Sequence, residues 1–169
     1  MNRLWAPWRK AYIRPNIKKT AGCLFCGVLA EKKDKRNLLL IRSRHAFALL
    51  NKYPYNNGHL MVIPNRHVST LDVLKAEEKL DLLALTDRMI AALKKSMKPH
   101  GFNVGINLGK AAGAGIPKHI HLHIVPRWSG DSNFMPVVGK TKVISEALES
   151  AYLELTRILK KMPLKKSKR

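Results

Sequence analysis

The stretch KHIHLHIVPRW, Lys118–Trp128, decides how this 169-residue chain is read. It places three of the chain's seven histidines at alternate positions. Alternation has period two, the side-chain period of a β-strand. On a strand, His119, His121 and His123 share one face, while Ile120, Leu122 and Ile124 point into a core. A rise of about 3.4 Å per residue sets neighbouring imidazoles roughly 7 Å apart. Ordinary surface histidines, a metal site and a nucleophile are the three uses open to such a row. Imidazole is a common metal ligand, but the acids nearest the strand, Asp131 and Glu146, both follow it. A neutral imidazole is also a good nucleophile toward phosphorus and escapes the repulsion that a carboxylate feels beside a polyphosphate. Attack gives a phosphoramidate and splits one displacement into two. The loop KAAGAGIP just upstream offers backbone N–H groups to the same anion. This last use employs every unusual feature of the stretch.

Working outward, FNVGINLG before the glycine loop alternates Asn103, Gly105 and Asn107 with apolar residues and reads as a strand. Ala76–Met97 holds no Gly or Pro and is predicted to be a long helix. Its stripe is Leu82, Leu85, Met89, Leu93 and Met97, with Glu77 and Glu78 near the start and Lys94, Lys95 and Lys98 near the end, as the helix dipole prefers. Leu38–Ile41 and Ala46–Leu50 suit a hairpin, and HLMVIP a third strand stopped at Pro64. CLFCGVLAEKKDKRN reads as a knuckle, a short helical turn and a charged loop. A final helix is expected from about Ile144 to Lys161, with Leu148, Tyr152, Leu155 and Leu159 on one face. The element order indicates an α+β fold, an antiparallel sheet with one long helix and a C-terminal helix. We expect one domain over residues 1–169, with an aromatic, basic arm at 1–22 and a basic tail at 162–169.

Composition bounds the function. Apolar content of 46% suits an ordinary globular chain. No run of about 18 apolar residues signals a membrane span, and the start lacks a secretory h-region, so a cytoplasmic location is expected. The net charge of +21 favours an anionic partner. The tail KKMPLKKSKR is either a solvated end or a weak nucleic-acid contact. Cys23 and Cys26, spaced C-x-x-C, point to metal ligation or redox use rather than a structural disulfide; two reduced cysteines without metal are the bland alternative.

HIHLHIV resembles the His-φ-His-φ-His-φ-φ pattern of the histidine triad (HIT) superfamily, and FALLNKYPYNNGHLMVIPNRHV, GFNVGINLG and KHIHLHIVPRWSGDSNFMPV, in that order, resemble HIT segments. Asn51 at the end of FALLN and the LW-PWR start look like its Fhit-related and bacterial diadenosine tetraphosphate phosphorylase-like branch. The resemblance implies a HIT-like fold and roles residue by residue. His121 matches the nucleophile on the α-phosphate. His123 matches a phosphate contact that assists the leaving group, and His119 a supporting residue. Asn107 matches an amide that contacts phosphate, Asn51 a ribose contact, and His59 the start of a strand lining the base pocket. Many relatives carry Ala-Gly-Gln before the triad and often a Ser or Thr soon after. Here AAGAGIPKH supplies no such side chain, so loop contacts fall to the backbone N–H groups of residues such as Gly113, Gly115 and Ile116. The resemblance further implies structural zinc on Cys23, Cys26, His67 and His119, with His45 a substitute ligand, and no organic cofactor. The implied substrates are dinucleoside polyphosphates, cleaved by hydrolysis or phosphorolysis. An adenosine phosphoramidate hydrolase and a non-catalytic nucleotide-binding regulator are the alternatives. A homodimer is expected by the same resemblance, with the long helix as an interface.

Overall fold

The computed structural model describes residues 22–131, 144 and 146–162. The expected N-terminal arm lies outside the described residues except for Gly22, and the basic tail except for Met162. The elements run α1 (Leu24–Glu31), β1 (Leu39–Arg42), β2 (Ala46–Leu50), β3 (Leu60–Pro64), α2 (Ala76–Met97), β4 (Gly101–Ile106), β5 (Leu122–Arg127) and α3 (Leu148–Lys161). The strands form one antiparallel sheet in the order β1-β2-β3-β5-β4. This is the α+β architecture expected from the sequence. Among the described residues, no helix is long and apolar enough to cross a membrane.

Alternation along the central strands builds two different faces. Ala46, Ala48, Leu50, Leu60, Val62, Leu122 and Ile124 join the buried stripe of α2 and Leu155 and Leu159 of α3 in the main core. Phe47, Leu49, Met61 and Ile63 look the other way and pack with Phe25 of α1. An eight-residue helix is marginal alone. Burial of Phe25, 2% exposed, anchors it by about 1.5–3 kcal/mol. The long helix has the bounds read from its periodicity; at its start Glu78 accepts the Lys75 N–H at 2.8 Å and pairs with Arg66 at 2.7 Å.

The histidine row departs from expectation. Strand β5 begins at Leu122, so only His123 lies inside a regular strand. The backbone before it is tied elsewhere: the Ile120 N–H donates to the Val68 carbonyl at 2.7 Å and the His119 N–H to Ile116 at 3.3 Å. Alternation of environment survives without the ladder, because Ile120 still enters the main core. Strand β4 also stops short, at Ile106, and α3 starts at Leu148 rather than Ile144.

Candidate functional site

Four side chains expected to bind metal meet on the α1 face of the sheet. Cys23 caps the start of α1, Cys26 sits in its first turn, His67 follows β3, and His119 precedes β5. Their donor atoms all lie within 4.8 Å of one another. Cys23 Sγ is 3.3 Å and Cys26 Sγ 3.6 Å from His119 Nδ1, and Cys26 Sγ is 3.4 Å from His67 Nδ1. A tetrahedron with zinc–sulfur and zinc–nitrogen bonds near 2.3 and 2.0 Å has sulfur–nitrogen edges of about 3.5 Å. The donor set and its spacing therefore fit that ion. One Nδ1 lone pair faces two sulfurs, contacts that a shared cation satisfies together. His119 Nε2 donates to the Pro64 carbonyl at 2.9 Å, so Nδ1 is its unprotonated nitrogen. Burial, followed by the Cys23 thiol, pushes the Cys26 thiol up from its ordinary value. Apposed sulfurs of this kind become thiolates beside a cation. His45 stands apart from the group; its backbone N–H donates to Asp81 Oδ2 at 2.6 Å.

The next histidine is oriented the opposite way. His121 Nδ1 donates to the His119 carbonyl at 2.9 Å, which leaves Nε2 with the lone pair. The ring is 5% exposed, and Phe25 stands edge-on to it at 5.1 Å. Burial pushes its pKa down, against the bond to the His119 carbonyl. His121 is thus a neutral imidazole with one bare nitrogen.

His123 lies opposite Met61 of β3 and Gly105 of β4. Its Nδ1 is 2.9 Å from Nε2 of His59. His59 is fully buried and does not line the cavity, contrary to the expected base-pocket position. Its pKa is pushed down to about 3, first by burial and then by His123 and His121. Its own Nδ1 accepts the Tyr55 N–H at 3.0 Å, and Asn51 Nδ2 stands 3.3 Å from it.

Beside these rings opens a cavity of about 1040 Å³. His121 and His123 line it together with Asn51, Met61, Gly113, Gly115 and Ile116. Lys33, Lys35, Arg36 and Lys52 also line it, beside Asp34 and Glu149, as does Tyr152 of α3. Asn107 lies past the end of β4, half-buried, with Nδ2 beside Gly113, and is not among the lining residues. In the glycine loop, the Gly113 N–H donates to Lys110 and the Ala114 N–H to Gly109. Those two donors are committed to the loop's own turns. Gly115 and Ile116 donate in neither of these bonds, and both line the cavity.

The HIT domain family matches residues 32–130. The chain belongs to the HIT family. His67 and His119 fall within the matched HIT region, whereas Cys23 and Cys26 precede it. The chain is similar to the AP-4-A phosphorylase of Mycobacterium tuberculosis, 41% identical over 155 residues that cover 88% of this chain and 79% of that protein. Among solved structures it resembles a Zn-bound histidine triad family protein from Mycobacterium smegmatis, 28% identical, TM-score 0.67, covering 83% of this chain and 94% of that one. The fold is also that of the Plasmodium falciparum diadenosine triphosphate hydrolase in complex with Cyclomarin A, at TM-score 0.57 and 21% identity over 75% of this chain and 76% of that one.

Several residues of this HIT site had no sequence signal. Phe25 touches both His119 and His121, yet between two cysteines it reads as filler. Tyr55 stacks on His123 at 5.9 Å from within a loop. Lys33, Lys35 and Arg36 read only as a charged loop, and the fold brings them to the cavity lining.

Proposed function

We propose that this protein cleaves dinucleoside polyphosphates, with diadenosine tetraphosphate the first candidate, through a nucleotidyl intermediate on His121. One observation carries the proposal: His121, tied at Nδ1, lines a cavity that four basic side chains also line, and keeps Nε2 unprotonated. Similarity to an AP-4-A phosphorylase supports the substrate class. In the first step the Nε2 lone pair bonds to the α-phosphorus, and the bridging P–O bond breaks with its electrons leaving on ATP. The His121 proton stays on Nδ1, where the His119 carbonyl stabilises the charge on the ring. In the second step water or inorganic phosphate attacks phosphorus, and the P–N electrons return to Nε2. Water releases AMP and phosphate releases ADP.

Cys23, Cys26, His67 and His119 would hold a structural zinc ion, which supplies a closed tetrahedral crosslink with no open position. His119 then acts on the substrate only indirectly, through its carbonyl bond to His121. A homodimer is supported by the outer edge of β4, unpaired among the described residues, where Val104 is 46% exposed, and by Leu83 on α2 at 56%.

The test is incubation with labelled diadenosine tetraphosphate, with and without phosphate. ATP plus AMP indicates a hydrolase, and phosphate-dependent ADP a phosphorylase. Retained nucleotide binding with no turnover would replace the enzyme with the regulatory reading. Preferred turnover of AMP linked to an amine would replace the polyphosphate substrate with a phosphoramidate.

A further inference from the structure

The cavity beside His121 reaches past one face of the sheet. Phe25, Leu49 and Met61 line it on the α1 side, where they pack together. Leu50 and Tyr152 line it too, yet both belong to the main core on the other side, and Leu38 packs against that core. The hollow therefore wraps round the end of the β1–β2 pair, where β1 begins and β2 finishes. Pockets for a drug-sized ligand run from about 300 to 1,000 Å³. At about 1040 Å³, this one holds more than a single nucleotide at His121 needs.

The lining is sorted along that path. Between the two sides lie the loop before β1 and the turn after β2, which bring Lys33, Lys35 and Lys52. The acids of the loop are already matched: Asp34 pairs with Arg42 at 2.6 Å and Glu31 with Arg36 at 2.8 Å. Lys33 also acts on Glu31, but Lys35 and Lys52 enter none of the ion pairs among the described residues. The α3 wall differs. It contributes Leu148, Glu149, Tyr152 and Leu153 and no cation. Leu153 is 57% exposed and belongs to neither core cluster. Leu38, which joins the lysine loop to this side, holds φ +55°, a left-handed backbone that leucine rarely adopts. Strained residues of that kind gather at ligand sites.

We propose that the α3 side of the cavity is a second nucleoside site, which receives the departing half of a dinucleoside polyphosphate while Lys33, Lys35 and Lys52 hold the phosphates between the halves. This rests on the reading that His121 attacks the α-phosphorus of the other half. The order of the lining, apolar, cationic, apolar, is the order base, phosphates, base of such a substrate. Glu149 repels a phosphate chain from the α3 wall, but a nucleoside is neutral there, and its hydroxyl and amino groups donate to that carboxylate. A substrate without a second nucleoside leaves this side empty, so the discrimination falls on binding rather than on the chemical step.

Two tetraphosphates tested on the full-length protein decide this. One is diadenosine tetraphosphate; the other is adenosine tetraphosphate closed by a terminal methyl ester, which keeps the chain and its charge but lacks the second nucleoside. KM for the first should be lower by about tenfold or more, with kcat little different, as the loss of one stacked base predicts. Leu153→Asn should erase most of that ratio. Lys35→Gln combined with Lys52→Gln should raise KM for both compounds by about fivefold or more and leave their ratio standing. The charge-matched pair Lys160→Gln with Lys161→Gln, at the end of α3 and outside the cavity lining, should change neither. Equal KM for the two compounds in the wild-type protein would sink the second site, whether its own chain covers that side or nothing binds there. A ratio that survives Leu153→Asn would place the second nucleoside elsewhere, and an equal effect of both lysine pairs would reduce the phosphate contact to bulk charge. The wild-type comparison decides even if a variant fails to fold. If neither compound is turned over, the covalent reading falls, while their affinities by calorimetry still report on the second site.

Discussion

His119 and His121 stand two residues apart in the segment that leads into β5 and present opposite nitrogens. His119 gives its Nε2 proton to the Pro64 carbonyl and aims a bare Nδ1 at two sulfurs. His121 gives its Nδ1 proton to the His119 carbonyl and keeps a bare Nε2 beside the cavity. The side-chain chemistry is identical. The carbonyl within reach decides which nitrogen is available, and with it whether the ring suits a closed cluster or an open reaction centre. One peptide group joins the two regions, because the carbonyl that orients His121 belongs to the residue in the cluster.

The most severe way to break the comparison is to delete the open-side ring. His121→Ala should lower turnover of diadenosine tetraphosphate by about ten-thousandfold, as loss of a nucleophile does, with nucleotide affinity measured by calorimetry nearly kept. Residual turnover within about tenfold of wild type would contradict the covalent route. A smaller loss is expected from the closed side. Cys23→Ser should take metal content down from about one ion per chain, lower the melting temperature, and reduce turnover by about ten- to a hundredfold through loosened positioning. Metal analysis beside kinetics separates the two regions. If Cys23→Ser kept its metal, the cluster assignment would fail; if it lost turnover as fully as His121→Ala, the division between the regions would.

Much of this was legible before any coordinates. Period-two alternation placed Ile120, Leu122 and Ile124 in the core and the three histidines opposite, even though the ladder covers only His123. The uninterrupted helical stripe gave Ala76–Met97 to the residue. C-x-x-C alone left metal and redox uses open; the family resemblance added His67 and His119, and the four donors do converge. Tautomers were out of reach, because they depend on which carbonyl lies beside each ring, a long-range property. His59 is the sharpest case. The family resemblance placed it at the start of a strand lining the base pocket, but the fold buries it against His123 and away from the cavity lining. The commitment of the Gly113 and Ala114 N–H groups to local turns was hidden for the same reason, since composition announces a glycine loop but not where its donors point.

A pH titration of stability sharpens the picture at the buried His59. His59 has an ordinary pKa of 6.5 and a folded value of about 3. Between these values the unfolded chain binds a proton that the native state refuses, so native stability falls as pH drops below 6.5 and levels out below about 3. The loss amounts to at most about 1.4 kcal/mol per pH unit in that window. His59→Gln cannot titrate there, so the stability gap between wild type and variant should narrow on acidification. A gap that stays constant from neutral pH downward would show that His59 is not held neutral.

The gentlest perturbation acts one residue earlier. Gly58 has φ +67°, and a Cβ there would meet Met97 Sδ at 2.6 Å and Leu93 Cδ2 at 3.0 Å. The left-handed backbone alone costs an alanine about 1–2 kcal/mol, whereas Met97 is a flexible side chain that can swing aside. Gly58→Ala should therefore destabilise by about that amount in urea unfolding, and adding Met97→Ala should recover none of the backbone share. The turn at Gly58 delivers His59 to the His123 ring, so a strained turn should also displace the His59–His123 bond. Side-chain nitrogen-15 shifts of those two rings should move in Gly58→Ala, while those of His119 and His67, held by the cluster, stay in place. Equal movement of all four would mean that the two regions are not separately anchored.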